Sequence, residues 1–466
     1  MSLRFRSRLV PALLAGIAAA AGASVSSAQD FGAPGRASAA RPLAPAELRP
    51  MEVRFWEDRG FRDAFLASYI PATSIEPDVT EDEREQVQEL LALIGEGSFD
   101  EAIERIARLR TDASTAVYEF LLGNIHFQAD RLDEAAAAYL EAVRKYPNFR
   151  RAWKNLGLIR VKQQDFASAL PALSKVIELG GGDGRTYGLL GFGYASIGDS
   201  IAAESAYRMA ILLEPGTLDW KMQLGRALFM QQRYADAAAL VGRLIEQNPA
   251  EPNLWILQAN AFIGLGEPRR AAENYEMVDR LGASTVDTLN MLGDIYINEG
   301  LFDAAVATYD RAMEMDLDSR PERALRAARV MVAQGAYAPT KTMVRAIKDL
   351  YGYTLEDADR KELLRVEARI AVAEGAGQEQ VRILEEIIRL DPLDGDALLL
   401  LGQHHHRQDE AERAIFYFER AASLPAFEAD AKVRHAQVLV GQQRYAEALP
   451  LLRQAQSVRP RESVRD

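Results

Sequence analysis

The chain has 466 residues, 48% of them apolar and 26% charged, and no cysteine. This is the composition of a folded protein, and it excludes disulfides, thiolate metal sites and a lipid-modified cysteine. Acidic residues outnumber basic ones by 68 to 55, and the basic residues are scattered among acids, so neither nucleic acid nor an anionic membrane, which need a concentrated cationic face, is an expected partner.

The first 28 residues read as a secretory signal. Arg4, Arg6 and Arg8 precede an apolar run from Leu9 to Ala23, and Ser26, Ser27 and Ala28 offer small side chains for cleavage. That run is shorter than the roughly 20 residues a bilayer span needs, so a soluble mature protein is expected, with an uncleaved membrane anchor as the alternative. Loss of three arginines moves the net charge from −13 to −16. Residues 29–50, rich in Ala, Pro, Gly and Arg, read as a flexible linker. Residues 51–83 come next, with Phe55, Trp56, Phe61, Phe65, Leu66, Tyr69 and Ile70 crowded together; Phe61, Phe65 and Tyr69 share one helical face. Such a helix either caps the open end of a repeat array or binds a partner.

From here one pattern recurs. Gly123, Gly157, Gly191 and Gly225 are 34 residues apart, Gly293 lies two steps on, and Ala135, Ala169, Ala203, Ala237, Ala271 and Ala305 keep the same interval. Small residues at the eighth and twentieth positions of each unit are what two antiparallel helices need at closest approach, because larger groups there overpack by roughly 1–3 kcal/mol. Apolar residues at positions 4, 7 and 11 line one face of the first helix, and those at 24 and 27 one face of the second. Turn residues such as Gly198-Asp199, Gly266-Glu267 and Glu299-Gly300 separate the helices, and Pro147, Pro215, Pro249, Pro392 and Pro460 close the second helix.

Trp153-x2-Leu156-Gly157 and Ala203-x3-Tyr207-x2-Ala210-x4-Pro215 carry a resemblance to the tetratricopeptide repeat (TPR) family over roughly residues 84 to 460. The resemblance implies an all-α, right-handed α-solenoid of about eleven helix-turn-helix units. Units 1–7 fall in residues 84–319, and irregular and C-terminal units 8–11 in 320–460. The unit around Gly97, Phe99 and Ala102 is one residue short, Thr340 stands where alanine belongs, and the interval before Gly375 stretches to 40 residues across Tyr351-Gly352-Tyr353-Thr354; a bend or loop is expected there.

In this family the first helices line a concave groove. The resemblance places Asn124, Phe127, Arg151, Lys154, Leu158, Lys162, Arg185, Phe192, Met222, Arg226 and Phe229 in it, a basic and aromatic stretch within an acidic protein. Asn124, Asn155 and Arg185 match three positions with which some relatives grip a partner's C-terminal carboxylate. Phe120 and Leu189 stand where that clamp has two more basic residues, so it is incomplete, with Lys154 close enough to supply one charge. The alternative for all of them is an ordinary solvated groove.

Other candidates are weaker. His404, His405 and His406 are adjacent on a helix and diverge by about 100°, so a zinc site with His435 is disfavoured against a packed histidine patch. Gly180-Gly181-Gly182-Asp183-Gly184 lacks the preceding strand and following lysine of a phosphate loop. Acidic pairs such as Glu385-Glu386 read as solvated helix faces, and no nucleophile elbow or His-Glu-x-x-His pair occurs, so neither an enzyme nor a cofactor is expected.

The sequence therefore points to an exported, periplasmic scaffold for protein or peptide partners in a cell-envelope complex. By analogy with exported relatives, the complex is a secretion, wall-building or TonB/ExbB-type energy-transducing machine. The alternative is a glycan- or peptidoglycan-binding protein using Phe192, Phe229 and Phe262. N-terminal sequencing of the exported protein is expected to start at Gln29; a start at Met1 identifies the retained anchor.

Overall fold

The computed structural model describes residues 76–317 and 320–458. The leader, the linker, most of the aromatic segment and Pro460 lie outside the described residues. Among the described residues there are twenty-two helices and no strand, arranged as eleven successive antiparallel pairs.

The pairs are, in order, α1 (Glu81–Gly95) with α2 (Phe99–Leu109), α3 (Val117–Gln128) with α4 (Leu132–Lys145), α5 (Arg150–Lys162) with α6 (Phe166–Glu178), and α7 (Gly184–Ser196) with α8 (Ser200–Leu213). Then come α9 (Leu218–Met230) with α10 (Tyr234–Gln247), α11 (Pro252–Leu265) with α12 (Pro268–Arg280), and α13 (Val286–Asn298) with α14 (Phe302–Met315). The last four are α15 (Glu322–Ala333) with α16 (Tyr337–Tyr351), α17 (Asp357–Ala373) with α18 (Gly377–Leu390), α19 (Gly395–Arg407) with α20 (Ala411–Ala422), and α21 (Glu428–Gly441) with α22 (Tyr445–Val458).

Each pair turns in the same way. One residue between the two helices takes a left-handed conformation: Gly97, Asp130, Gln164, Gly198, Gln232, Gly266, Gly300, Gly335, Gly375, Asp409 and Gln443. Its amide bonds to the carbonyl three residues back and the next amide to the carbonyl five back, as in Asp130 to Phe127 at 3.0 Å and Arg131 to His126 at 2.9 Å. This is a Schellman closure, which satisfies the last carbonyls of the first helix. Five of the eleven turns use a residue other than glycine, each at about 1–2 kcal/mol of conformational strain. Second helices stop where the prolines require: α4, α8, α10 and α18 end at Lys145, Leu213, Gln247 and Leu390, two residues before Pro147, Pro215, Pro249 and Pro392.

The small residues sit under large ones. A Cβ on Gly123 would lie 2.6 Å from the ring of Tyr139, one on Gly191 2.7 Å from Tyr207, one on Gly293 2.7 Å from Tyr309 and one on Gly402 2.5 Å from Phe418. The eighth position thus receives the side chain of the twenty-fourth. In the unit with Leu173 the same gap is 2.8 Å from Gly157, and in the unit with Val241 it opens to 3.1 Å from Gly225. These rings are fully buried.

First helices of successive units touch side by side, α5 with α7, α7 with α9 and α9 with α11, whereas the substantial contact between neighbouring second helices is that of α14 with α16. The layer whose members lie closer together is the inner one, so the first helices form the concave side. Around unit 8 the stacking changes. There α16 packs on α14, and α15 packs laterally on α17. Thr340 is fully buried in α16 and bonds its hydroxyl to the Ala336 carbonyl at 2.6 Å, so threonine fits the alanine position by satisfying itself.

Gly191→Ala is expected to lower the thermal midpoint clearly, by an overpacking penalty of about 1–3 kcal/mol against the rigid Tyr207 ring. Gly225→Ala, facing the smaller Val241, is expected to shift it much less; circular dichroism melting of the two variants checks the order.

Candidate interaction groove

The inner layer of units 2 to 5 holds every groove residue expected from the sequence, but in two different situations. Asn124 and Asn155 are buried. The Tyr139 hydroxyl donates to Asn124 Oδ1 at 2.5 Å, and Asn155 Nδ2 lies 3.3 Å from both that oxygen and the Tyr139 oxygen. The two asparagines are therefore engaged inside the protein, tying α3, α4 and α5 together. Burial drives the Tyr139 phenol far above its ordinary pKa, so it is a permanent donor. The same device recurs where Tyr275 faces Asn260 at 3.4 Å and Tyr309 faces Asp294 at 2.5 Å. Burial holds the Asp294 carboxyl above the usual carboxylate range, against the lowering effect of the Tyr309 hydrogen bond. In the fourth unit Phe192 occupies the acceptor position, and the buried Tyr207 hydroxyl has no hydrogen-bond partner among the described residues.

The cations form the second group. Arg151 pairs with Glu76 at 3.1 Å and lies 5.7 Å above the Phe120 ring. Lys154 pairs with Asp183 at 2.6 Å, and Lys162 with Asp130 at 2.6 Å while standing 5.8 Å over the Phe127 ring. Arg185 is half-buried at the start of α7, and Arg226, half-buried on α9 near Tyr207, has its pKa lowered by desolvation. Arg151, Lys154, Arg185 and Arg226 thus mark a row across three consecutive first helices. Glu76 and Asp183, which pair with Arg151 and Lys154, were not recognised in the sequence as their partners. Asp183 had a visible signal, since it caps α7 by accepting from the Thr186 amide at 2.8 Å. Although burial raises the Asp183 pKa, the Lys154 ammonium and the Thr186 hydroxyl and amide outweigh it and hold the carboxyl below its usual range. Glu76 had no such signal, because its partner lies 75 residues away.

The aromatic residues proposed for sugar stacking are engaged in packing. Phe229 and Phe262 are buried, Phe229 against Tyr234 at 5.3 Å and Phe262 beneath the Arg270 guanidinium at 3.9 Å, and half-buried Phe192 meets Phe166 edge-on at 5.7 Å. The glycine run before α7 is also a packing device: Cβ atoms on Gly181 and Gly184 would come within 2.5 Å of Arg150 and 2.4 Å of Glu214. His405 bonds Glu410 at 2.6 Å and stacks on Tyr417 at 5.4 Å. Among the described residues no group of three or more His, Cys, Asp or Glu is placed to hold a metal ion, and no helix is long and apolar enough to cross a membrane.

Family models described as tetratricopeptide repeat match residues 88–148, 120–184 and 366–431, 194–261, and 286–319, together more than half of the chain. The chain belongs to the tetratricopeptide repeat family. Its repeats support a protein-interaction scaffold. No curated protein matches the chain. Among solved structures, YrrB, described as a TPR protein with an unusual peptide-binding site, is 17% identical with a TM-score of 0.37, covering 41% of this chain and 95% of its own. A TPR protein from Parabacteroides merdae is 14% identical with a TM-score of 0.37, covering 56% of this chain and 98% of its own. PilW, described as a type IV pilus biogenesis factor, is 15% identical with a TM-score of 0.37, covering 44% and 96%. These likenesses concern helical-repeat architecture only.

Tyr139→Phe is expected to destabilise the protein by about 1–2 kcal/mol, since it strips a bonded donor from a buried network. Tyr207→Phe is expected to be neutral or slightly stabilising, because the hydroxyl it removes is already without a partner. Thermal midpoints of both variants check the contrast.

Proposed function

We propose that this TPR protein is an exported, non-enzymatic scaffold of a cell-envelope complex that captures protein partners along the concave side of units 2 to 5. The observation that carries the reading is the cationic row Arg151, Lys154, Arg185 and Arg226 on adjacent first helices of an acidic protein. Against a net charge of −13, such a row offers a local site for carboxylates, from acidic side chains or a chain terminus. It draws an acidic segment to one face while the rest of the surface repels it.

The inner helices present these groups at regular intervals, so an extended or helical partner meets several units at once. Individually weak contacts then add through effective concentration. Because Asn124 and Asn155 are tied to Tyr139, recognition rests on the cations and on the ring faces beneath them. The arginine- and alanine-rich leader supports export, and the periplasm is the compartment proposed on that ground.

The test is capture of partners from a membrane-and-periplasm extract by the full mature chain and by an Arg185→Glu, Arg226→Glu variant. Partners retained by the first are expected to fall at least tenfold with the second, with helical content unchanged; equal recovery overturns the reading. A parallel pelleting assay with cell-wall polymer is expected to show no enrichment.

A further inference from the structure

Most second helices turn charged residues outward. On α10 the exposed residues include Asp236, Arg243 and Glu246, and on α12 Arg269, Arg270 and Glu273, as a solvated outer face requires. On α8, the second helix of unit 4, they are Ile201, Ser205, Arg208, Met209, Leu212 and Leu213, with Arg208 the one charge among them. Ile201 and Leu212 are 70% and 73% exposed. Positions 201, 205, 209 and 212 are three or four residues apart, so these side chains form one continuous ridge about 16 Å long. The polar groups of the ridge are already satisfied on the helix itself: the Ser205 hydroxyl donates to the Ile201 carbonyl at 3.2 Å, and Arg208 pairs with Glu204 at 2.8 Å. Packing within the array does not use this face, because Ala203, Tyr207 and Ala210, the fully buried residues of α8, lie on its other side.

We propose that the ridge on α8 is the surface on which a second copy of this chain docks, α8 against α8, antiparallel about a two-fold axis. In that arrangement Ile201 of each copy lies on Leu212 of the other, with Ser205 and Met209 at the centre, where the small serine leaves room for the methionine. Each Arg208 then stands between its own Glu204 and the Glu204 of the second copy, so the charges at the contact meet their opposites. The two helix dipoles run in opposite directions and add to the pairing. Self-complementarity about the middle of α8 is what a two-fold contact requires and a different partner does not. The area agrees: the ridge exposes several hundred Å² of apolar surface, at the upper end of what a monomer shows, and a two-fold contact counts it twice, bringing the total to about 1,000 Å², the lower limit of a specific interface. A reversible dimer follows. This inference is independent of the groove reading and extends it, because docking through the outer helices leaves the inner face of both copies open. The dimer then holds two grooves facing away from each other, and a partner with two acidic segments gains from effective concentration.

The test is analytical ultracentrifugation of the full mature chain, which is expected to show a monomer–dimer equilibrium with a dissociation constant of about 1–100 µM. The Ile201→Glu, Leu212→Glu variant is expected to weaken it at least tenfold, with the circular dichroism spectrum unchanged because both side chains are exposed. A chain that stays monomeric through that range, or a dimer that the variant leaves intact, overturns the proposal. The absence of cysteine from the chain makes a second measurement clean. Ile201→Cys and Leu212→Cys chains are mixed and treated with a short bismaleimide crosslinker. Crosslinks between positions 201 and 212 of different chains are expected to exceed those between two residues 201 at least fivefold. Equal yields, or a preference for 201 with 201, overturn the antiparallel two-fold contact. A monomeric chain whose ridge captures a different protein overturns the second copy as its occupant.

Discussion

Everything in this molecule depends on how closely the two helices of a unit approach, and that approach is set by one contact. The twenty-fourth residue of a unit presses its side chain onto the backbone of the eighth. Where the pressing group is Tyr139, Tyr207, Tyr309 or Phe418, the receiving residue is Gly123, Gly191, Gly293 or Gly402, and no Cβ fits. The unit with Tyr275 is the exception, with Ala259 in the receiving position. In the units with Tyr139, Tyr207, Tyr275, Tyr309 and Phe418 the contact buries a large ring completely in the middle of the pair. It leaves polar work for the tyrosine hydroxyls, which emerge at the inner layer and need an acceptor there. Packing inside the unit and polarity on the groove side are thus two ends of the same side chain.

That coupling explains why the groove is less available than its residue types suggest. An asparagine at the ninth position can recognise a peptide or satisfy a buried tyrosine, and here Asn124 does the second. The cations are less constrained, since ion pairs such as Lys162 with Asp130 are partly exposed and worth at most about 1 kcal/mol each. Such exposed pairs are given up at little loss. Buried pairs behave otherwise: Glu119, almost inaccessible between Lys145 at 2.8 Å and Arg110 at 3.2 Å, fastens the first two units and is a structural group.

Unit 8 breaks the regular interval, and its packing changes with it. Between the turns at Gly335 and Gly375 the interval is 40 residues in place of 34, and the extra length goes into the longer helices α16 and α17 and the Tyr353 turn. The Tyr351 hydroxyl reaches back to the Met313 and Asp316 carbonyls at 3.2 and 2.9 Å, holding the second helix of unit 8 against unit 7. Lateral contact between second helices at this point is a consequence of that anchorage.

The sequence by itself determined the unit, its approximate count and turns such as those at Gly198, Gly266 and Gly300, because those depend on local properties: helical periodicity, turn residues between the helices, and small residues at fixed positions; the left-handed turns at Asp130, Gln164, Gln232, Asp409 and Gln443 carry no such glycine signal. The Pro147, Pro215, Pro249 and Pro392 stops are equally local, since a missing amide acts within one turn. The resemblance to the repeat family added the first-helix positions of Arg151, Lys154, Arg185 and Arg226. What only the tertiary structure decided is which of those groups are engaged. Glu76 meets Arg151 across 75 positions, and Tyr139 draws Asn124 and Asn155 into one network, through distances in space that no spacing along the chain records. Hydrogen bonding and burial depend on what stands opposite a side chain, and in a stacked array that is decided by the neighbouring unit.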